Sequence, residues 1–415
     1  MTQPATTTPW LSIIGVGEDG TDHLSGAART LIQSAEYVFG APRHLKLVAS
    51  LIRGTAKPWR TPFDPTFADL LAHRGRAVCM LASGDPFQYG AASSLAHHLD
   101  PAETVTIPGI SAFSLAAARL LWPLQQTTLI SFCGRPITQI RRHLQPGARL
   151  LALSAGSDTP TEVAALLVVL GFAGSRMHVL EAMGGARERV RTTTAGEFGL
   201  DDISPLNTIA IEVLDSPGAR VLPRAAGVPD DWFEHDGQIT KREIRALTVS
   251  ALAPRQGAHL WDIGAGSGSV AIEWLLCDPT LSATAFECRE DRAARIGRNA
   301  NTFGVTNLQI AVGEAPQVLT GACAPDAVFV GGGVTTPGII DSAQCTLKTG
   351  GRLVINAVSL ESEAALIDYY QRCGGTLTRL SVSRAAPIQG SDQFSAWRPA
   401  MPITQWVWEK TGARQ

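Results

Sequence analysis

The stretch Leu260-Trp261-Asp262-Ile263-Gly264-Ala265-Gly266-Ser267-Gly268-Ser269-Val270-Ala271-Ile272-Glu273-Trp274 decides the fold of the C-terminal half of the chain. An apolar run ends in Asp262, three glycines follow at every second position, and a helical pattern opens at Ser269. This order predicts a β-strand, a tight loop and the first turn of an α-helix. Glycine lets the backbone turn sharply and lets a ligand approach without meeting a Cβ. Open α/β sheets bind ligands at the carboxyl ends of their strands, which is where Asp262 is predicted to lie.

Two carboxylates accompany this loop. The spacing is Asp-x-Gly-x-Gly-x-Gly rather than Gly-x-Gly-x-x-Gly, and a carboxylate beside the loop suits a cationic ligand better than a pyrophosphate. Glu287 ends the next apolar segment, residues 283–287, and can accept hydrogen bonds from both ribose hydroxyls of a nucleoside. Together they resemble the S-adenosylmethionine (SAM) site of Rossmann-like methyltransferases. A nucleotide or dinucleotide site, or a glycine-rich turn that binds nothing, is the alternative.

Length and charge limit the organisation and the partners. With 415 residues, two domains are expected, and a hydrophobic content of 45% supplies a core for each. A net charge of −2 gives no reason to expect nucleic acid or a membrane surface as a partner. Lysine is rare, so arginine carries nearly all of the positive charge, which suits a substrate rich in carboxylates. The base composition of the genome is an alternative explanation for the excess of arginine over lysine, and it implies nothing about function.

Cysteine usage and the N-terminus indicate the compartment. The chain has 7 cysteines, all scattered singly, and an odd count argues against a disulfide framework. The segment from Met1 to Pro9 is polar and rich in threonine, unlike a signal peptide. We therefore expect a cytoplasmic protein, and we predict no metal site because the histidines show no ligand spacing.

The N-terminal half carries three glycine-containing turns after apolar strands. The first, residues 15–20, formally reads Gly-x-Gly-x-x-Gly, but its two acidic residues would repel a pyrophosphate. The second, residues 83–90, contains Gly-Asp-Pro and presents Asp85 at a rigid bend. In the third, residues 108–112, Ser111 is placed to cap a helix that begins at Ala112, and that helix N-terminus could hold a ligand carboxylate. The alternative is that these turns only connect strands to helices and bind no ligand.

A Pro/Gly-rich break at residues 215–232 predicts a linker between domains at 10–214 and 233–410. After it, Thr240 is predicted to cap a helix, with Glu243 completing a capping box. Strands then alternate with helices to the end, which predicts a parallel doubly wound sheet.

Two sets of motifs resemble known families. Residues 15–20, 83–87, 108–116 and 180–185 resemble the tetrapyrrole (corrin/porphyrin) methylases, in which SAM lies between two α/β lobes. Residues 235–243, the Asp262–Gly268 loop, Gly331-Gly332-Gly333 and residues 356–361 resemble decarboxylating C15 methyltransferases of cobalamin biosynthesis. Both sets in one chain resemble the family of fused C5,15-methyltransferases. The fold implied is α/β, a two-lobed tetrapyrrole methylase fold followed by a Rossmann-like SAM-dependent methyltransferase with a doubly wound sheet.

The resemblance implies one SAM in each domain. In the C-terminal domain, the cofactor contacts that the resemblance implies are Thr240, Gly264, Ala265, Gly266, Ser267, Gly268, Glu287 and Ala315. Asp262 is added to them because it lies at the start of the glycine loop. In the N-terminal domain the implied contacts are Gly84, Asp85, Ser111, Ala112, Asn207 and Thr208. Arg43 and His44 match the family pattern, and the sequence leaves open whether they touch substrate; Cys133 stands where the family pattern has histidine.

The implied reaction is methylation of precorrin-6B at C5 and C15 with decarboxylation of the C12 acetate, giving precorrin-8. The strand after Asp326 ends in three glycines rather than in an amine-methylase or Pro-Cys motif, which favours a bulky flat ring as substrate. Lys241, Arg242 and Arg245 are candidates for binding its carboxylates, or form a solvated helix face; no catalytic group is assigned. We expect a homo-oligomer that acts on a small-molecule tetrapyrrole. A cobalt-containing precorrin, an RNA substrate and a non-catalytic SAM- or corrinoid-binding module are the alternatives.

Overall fold

Residues 9–388 and 394–412 are described by the computed structural model, so most of the polar segment Met1 to Pro9 lies outside the described residues. Contacts between Cα atoms divide the chain into two units. The first comprises Met1–Ile137 and His143–Arg220, and the second comprises Thr138–Arg142 and Val221–Gln415. The boundary at residue 220 falls inside the segment predicted as a linker.

The first half of unit one is a parallel sheet of five strands. Its elements are β1 Leu11–Val16, α1 Gly26–Ser34, β2 Tyr37–Gly40, α2 Pro42–Leu47, β3 Thr55–Pro58, α3 Ala68–Leu71, β4 Val78–Ser83, α4 Ala92–Leu95 and β5 Thr104–Ile107. The strand order is β3-β2-β4-β1-β5, and every pairing is parallel. β1 and β4 are apolar and buried along almost their whole length, as expected for central strands covered on both faces.

The second half of unit one is a mixed sheet. Its elements are α5 Ala112–Leu120, β6 Thr127–Ser131, β7 Arg149–Leu153, α6 Thr159–Val169, β8 Arg176–Glu181, β9 Arg189–Thr194 and β10 Asn207–Glu212. The order is β6-β7-β10-β8-β9, and only the β6–β7 pairing is parallel. The Ser111 hydroxyl accepts a hydrogen bond from the Ser114 N–H at 3.1 Å, so Ser111 caps α5 as the sequence predicts.

Unit two is built on a sheet of seven strands. Its elements are α7 Arg242–Leu252, β11 His259–Ile263, α8 Ser269–Cys277, β12 Ser282–Glu287, α9 Glu290–Phe303, β13 Leu308–Val312, β14 Ala327–Val330, α10 Ile339–Thr346, β15 Arg352–Ala357, α11 Leu360–Cys373, β16 Thr376–Leu380, β17 Ser383–Pro387, β18 Ser395–Pro399 and β19 Ile403–Glu409. The sheet order is β13-β12-β11-β14-β15-β19-β16, while β17 and β18 form a separate antiparallel hairpin. The stretch that decides the fold forms β11, the glycine loop and α8, as predicted.

Three sequence predictions for unit two need correction. The sheet is parallel only from β13 to β15, because β19 runs antiparallel to both β15 and β16. Lys241, not Thr240, is the N-cap of α7, and no side chain there makes a capping hydrogen bond, so the capping box is absent. Leu222 and Val228 are buried in the core of unit two. The second part of the predicted linker therefore folds with this unit.

None of the helices in the described ranges combines the length and the apolar character that crossing a membrane requires.

Candidate functional site

The glycine loop of unit two is held against the end of β12. The N–H groups of Gly264 and Ala265 both donate to the Phe286 carbonyl, at 2.9 and 3.2 Å. Gly264, Gly266 and Gly268 all have positive φ angles, of 72°, 60° and 73°. Because a side chain is strained in this conformation, the spacing of three glycines is a backbone requirement of the loop.

Glu287 joins the loop to the strand that carries it. Glu287 is 3% exposed. Oε2 accepts the Gly266 N–H at 2.8 Å and Oε1 accepts the Arg289 N–H at 3.1 Å. A carboxylate oxygen can accept two hydrogen bonds. Oε2 has one free position, and Oε1 also accepts from the Cys288 thiol at 3.6 Å, a weak donor that a ribose hydroxyl can displace. The carboxylate can therefore accept ribose hydroxyls, the role predicted for this residue.

Asp262 lies at the carboxyl end of β11 and is buried. Its Oδ2 accepts the Ala271 N–H in the first turns of α8 at 3.1 Å, while its buried Oδ1 has no hydrogen-bond partner within the described residues. Burial, with a smaller contribution from the Glu287 charge, raises the pKa of Asp262 to about 7. A buried carboxylate oxygen without a partner suits a cationic ligand or a donor placed beside it.

Two further predicted cofactor contacts approach this loop from neighbouring segments. The Gly313 N–H donates to the Glu287 carbonyl at 3.0 Å, which sets the turn carrying Ala315 beside the end of β12. The Gln238 carbonyl lies 3.9 Å from the position that a Cβ on Gly266 would take, so the segment leading to Thr240 passes the loop. The carboxyl ends of β11, β12 and β13 thus gather the predicted residues, and their donors and acceptors fit SAM.

The prediction that Arg245 binds substrate carboxylates is wrong. Arg245 has no exposed side-chain surface, and its guanidinium pairs with Glu273 at 2.6 Å and Asp230 at 2.9 Å. It also donates to the carbonyls of Thr240 and Val228. Four of its five N–H donors are thus used within the fold, and its burial keeps the guanidinium away from a ligand. Sequence periodicity places Arg245 on the helix but cannot show which face is covered.

Lys241 and Arg242 remain exposed at the start of α7. No ion pair within the described ranges engages either side chain, in contrast to the neighbouring Glu243, which pairs with Arg384. They stay the candidates for binding substrate carboxylates in unit two.

The sequence suggests that the glycine triplet after β14 makes room for a flat substrate, but the structure shows that it also allows close packing. A Cβ on Gly331 would lie 2.9 Å from the Phe329 ring, and one on Gly333 would lie 3.0 Å from Ile339. Only at Gly332 is the nearest atom, the Gly264 Cα, as far as 3.9 Å. A side chain at position 331 would therefore displace the Phe329 ring, and Gly333 has a φ angle of 73°, which favours glycine. Gly332 is the position of the three that leaves most room for a ligand.

Unit one contains a cavity of about 410 Å³, within the range of small-molecule sites. All six residues predicted to bind cofactor in this half line it, namely Gly84, Asp85, Ser111, Ala112, Asn207 and Thr208. They come from three separate stretches of the chain. The buried amide oxygen of Asn207 has no partner among the described residues and can accept a hydrogen bond from a ligand.

Close backbone packing explains the first glycine turn of the chain. A Cβ on Gly15 would lie 1.9 Å from the Gly84 carbonyl oxygen and 2.1 Å from the Gly109 nitrogen. The Gly109 N–H donates to that carbonyl at 3.0 Å. The glycine at position 15 is thus needed where three motif loops meet. Close packing of these loops therefore explains the first glycine of the Gly-x-Gly-x-x-Gly pattern, and no bound dinucleotide is needed to explain it.

Arg43 and His44, whose roles the sequence left open, both line the cavity of unit one. His44 Nε2 lies 2.8 Å from the Ser83 hydroxyl and 3.0 Å from Arg43 Nη2. Arg43 also pairs with Glu18. Burial, and then the Arg43 charge, lowers the pKa of His44 to about 4, so the imidazole is neutral at neutral pH.

Sequence analysis missed one residue of unit two, Asn299, whose side chain contacts the glycine loop. The signal available in the sequence was an asparagine on the otherwise apolar face of α9.

Comparisons with known proteins agree with both motif sets. Residues 11–199 match the tetrapyrrole (corrin/porphyrin) methylases and residues 231–410 match the precorrin methyltransferase domain. The chain is 52% identical over 408 residues to the precorrin-6Y C(5,15)-methyltransferase (decarboxylating) of Sinorhizobium sp, covering 98% of both chains. It is 40% identical over 400 residues to the protein of the same name from Mycobacterium tuberculosis (strain CDC 1551 / Oshkosh), covering 95% of this chain and 98% of that one. It is also 36% identical over 169 residues to the cobalt-precorrin-6B C(15)-methyltransferase (decarboxylating) of Salmonella typhimurium, covering 40% of this chain and 87% of that protein.

Proposed function

The chain belongs to the family of precorrin-6Y C(5,15)-methyltransferases (decarboxylating), and we propose that it methylates precorrin-6B at C5 and C15 and decarboxylates the C12 acetate, giving precorrin-8 in cobalamin biosynthesis. The methyl donor is SAM. One observation carries this proposal: identity of 52% runs through 98% of the chain, across both motif sets. The alternative substrate, a cobalt-containing precorrin, is less well supported, because the relative named for it matches only 40% of the chain.

We assign C5 methylation to residues 10–214, and C15 methylation with decarboxylation to residues 233–410. The family matches at residues 11–199 and 231–410 support this division. A relative named for C15 methylation and decarboxylation matches only 169 residues, which supports placing both steps in one half. We further propose one SAM in each half, because the predicted cofactor residues form two groups, each within its own unit.

In residues 233–410, the donors and acceptors already described would hold the cofactor. The carboxylate of Glu287 would accept the ribose hydroxyls, and the loop from Gly264 to Gly268 would let the ligand approach the backbone. Asp262 would place negative charge near the cofactor. SAM supplies an electrophilic methyl group when bound. Positioning the substrate carbon in line with that methyl can supply about 7–11 kcal/mol of the barrier, so no nucleophilic side chain is needed.

Decarboxylation requires an acceptor for an electron pair and a source of one proton. When the C–C bond to the acetate carboxylate breaks, CO2 leaves and the bonding pair passes into the conjugated ring. A proton then forms the new C–H bond and leaves a methyl group at C12. The exposed cations Lys241 and Arg242 would bind other carboxylates of the ring, through charge-assisted hydrogen bonds of roughly 1.5–3 kcal/mol each.

The test is incubation of the full-length protein with SAM and precorrin-6B, followed by mass spectrometry. The product should gain two methyl groups and lose one CO2. Gly266→Arg should stop C15 methylation and CO2 loss while C5 methylation continues. Ala112→Arg, which fills the cavity of unit one, should do the reverse, with Gly26→Arg as its control because a Cβ on Gly26 meets no atom within 4 Å. A wild-type product with a single modification would contradict the proposal.

A further inference from the structure

Tyr89 occupies an unusual position at the cavity of unit one. It follows the Gly84-Asp85-Pro86 turn, lines the cavity and is 45% exposed. Its φ angle is +57°, a conformation that tyrosine rarely adopts. Non-glycine residues held in this region of φ/ψ space cluster at functional sites, because the surrounding structure must maintain them.

Contacts on two sides hold the Tyr89 ring. Its hydroxyl donates to the Leu129 carbonyl of β6 at 2.9 Å. Its ring meets the buried Phe113 ring edge-on, with centroids 5.9 Å apart. The Tyr89 side chain thus bridges from the turn after β4 to the strand β6. These two contacts hold the ring in place although almost half of the residue's surface is exposed.

Arg135, in the turn after β6, places its guanidinium over the Tyr89 ring at 5.3 Å from the centroid. Arg135 is exposed, and within residues 9–388 and 394–412 this ring contact is its one side-chain interaction. Several other arginines of unit one are paired with carboxylates, as Arg43 is with Glu18, Arg119 with Glu188 and Arg189 with Glu181. The ring contact therefore places the Arg135 guanidinium beside Tyr89, with its hydrogen-bond donors unused.

Exposed apolar side chains also line the cavity that Tyr89 lines. Phe63 and Ile110 also line the cavity and are 45% and 53% exposed. Trp59 lies beside Phe63, with ring centroids 5.7 Å apart. Exposed aromatic and aliphatic side chains around a cavity suit a flat apolar ring, and a free guanidinium at its border suits a carboxylate on the periphery of that ring.

We propose that Arg135, supported by Tyr89, binds a peripheral acetate or propionate carboxylate of the macrocycle and so orients its C5 carbon toward the methyl donor. This inference rests on the proposed function of residues 10–214. Arginine can bind a carboxylate through two parallel N–H···O bonds, which fixes orientation as well as position. The cation–π contact with the Tyr89 ring favours this position of the guanidinium and leaves its N–H groups available for those bonds.

The experiment uses the full-length protein with SAM labelled at the methyl carbon, and carbon NMR of the product separates methylation at C5 from methylation at C15. Arg135→Gln should raise KM for precorrin-6B in C5 methylation about 10- to 100-fold, the loss expected for a charge-assisted pair. KM for SAM should stay within about twofold. Arg135→Lys should recover only part of the loss, because an ammonium cannot form the planar bidentate pair.

Tyr89→Leu should also raise KM for precorrin-6B, and Tyr89→Phe should have a smaller effect because the ring remains while the hydroxyl bond to Leu129 is lost. Arg53→Gln is the control: Arg53 is an exposed arginine of unit one that does not line the cavity, and its kinetics should match the wild type. KM for SAM in C5 methylation, measured on the same preparations, reports whether unit one is folded in each variant, because the predicted SAM contacts of this half line the same cavity.

An unchanged KM for precorrin-6B in Arg135→Gln, with C5 methylation proceeding, overturns the inference and leaves the proposed function intact. Full recovery of KM in Arg135→Lys overturns the bidentate geometry. Failure of the wild type to methylate C5 overturns the proposed function instead. In that case, equilibrium titration of precorrin-6B into wild type and Arg135→Gln still tests the carboxylate site, and equal affinities would contradict it.

Discussion

The side-chain amide of Asn299 donates to the Ser267 carbonyl in the glycine loop at 2.9 Å. The same amide donates to the Glu234 carbonyl at 2.9 Å and accepts the Glu234 N–H at 2.8 Å. Asn299 is 2% exposed and lies on α9. One side chain thus couples the loop to the segment that leads to Thr240, and arginines of the same helix add ion pairs to Glu234 and Asp236.

We therefore expect Asn299→Asp to loosen both segments together. An aspartate keeps the acceptor but loses both donors, and it brings negative charge next to two carbonyls. Unfolding measured in denaturant should show a loss of about 1–3 kcal/mol, the cost of leaving buried polar groups unpaired. KM for SAM in C15 methylation should rise about tenfold while KM for SAM in C5 methylation is unchanged. Asn301→Asp, at an exposed position of α9, is the control, and equal effects of both variants would refute a specific role.

The buried pair Arg245–Glu273 should stabilise unit two strongly. Glu273 accepts from Arg245 Nε at 2.6 Å and from the N–H groups of Gly227 and Val228 at 2.7 and 2.9 Å. Breaking a buried pair costs about 3–5 kcal/mol, and loss of the Glu273 charge would leave buried Arg245 with the Asp230 carboxylate alone as its counter-charge. Glu273→Gln should show this loss in denaturant unfolding. Asp368→Asn, which breaks an exposed pair with Arg372, should change stability by less than about 1 kcal/mol; similar losses would contradict the assignment.

The raised pKa of Asp262 predicts a pH dependence of stability. An aspartate in an unfolded chain has a pKa of about 3.9, whereas burial raises that of Asp262 to about 7 in the fold. Between these pH values the native state binds a proton that the unfolded state has released. The free energy of unfolding should therefore fall as the pH rises from about 4 to about 7, by on the order of 3 kcal/mol from this group.

Asp262→Asn isolates this contribution, because the amide keeps an oxygen for the Ala271 N–H and cannot ionise. Denaturant unfolding across the pH range should show a smaller decline in the variant than in the wild type. Identical pH profiles would rule out Asp262 as the source. If the carboxylate also faces a cationic ligand, SAM binding should release a proton near pH 6, which calorimetry in buffers of different ionisation enthalpy detects.

Gly15→Ala tests the meeting of the three motif loops in unit one. The new Cβ would lie 1.9 Å from the Gly84 carbonyl oxygen, so the loops would have to separate. Overpacking of this kind costs about 1–3 kcal/mol, and because Gly84 lines the cavity, C5 methylation should decline as well. Gly26→Ala is the matched control: its Cβ meets no atom within 4 Å, so stability should stay equal or rise slightly. Equal stability of the two variants would refute the packing argument.

Local patterns predicted most of the elements. The strand, glycine loop and helix from Leu260 to Trp274 follow from a change of periodicity and from glycine spacing, both of which act within a few residues. The cap at Ser111 follows in the same way. The antiparallel edge formed by β19 and β16 was not predicted, because strand direction in a sheet depends on pairing with β15, whose residues lie about fifty positions earlier in the chain.

The sequence by itself determined the family, the two groups of predicted cofactor residues and the order of strands and helices, because each is written in adjacent residues. The tertiary structure decided which polar side chains are free to meet a ligand. Arg245 pairs with Glu273, 28 residues away, and Asn299 donates to Ser267, 32 residues away. Tyr89 meets Leu129 across 40 residues, beside the unpaired Arg135. Burial and pairing across such separations arise only when the chain has folded, since the partners share no local pattern.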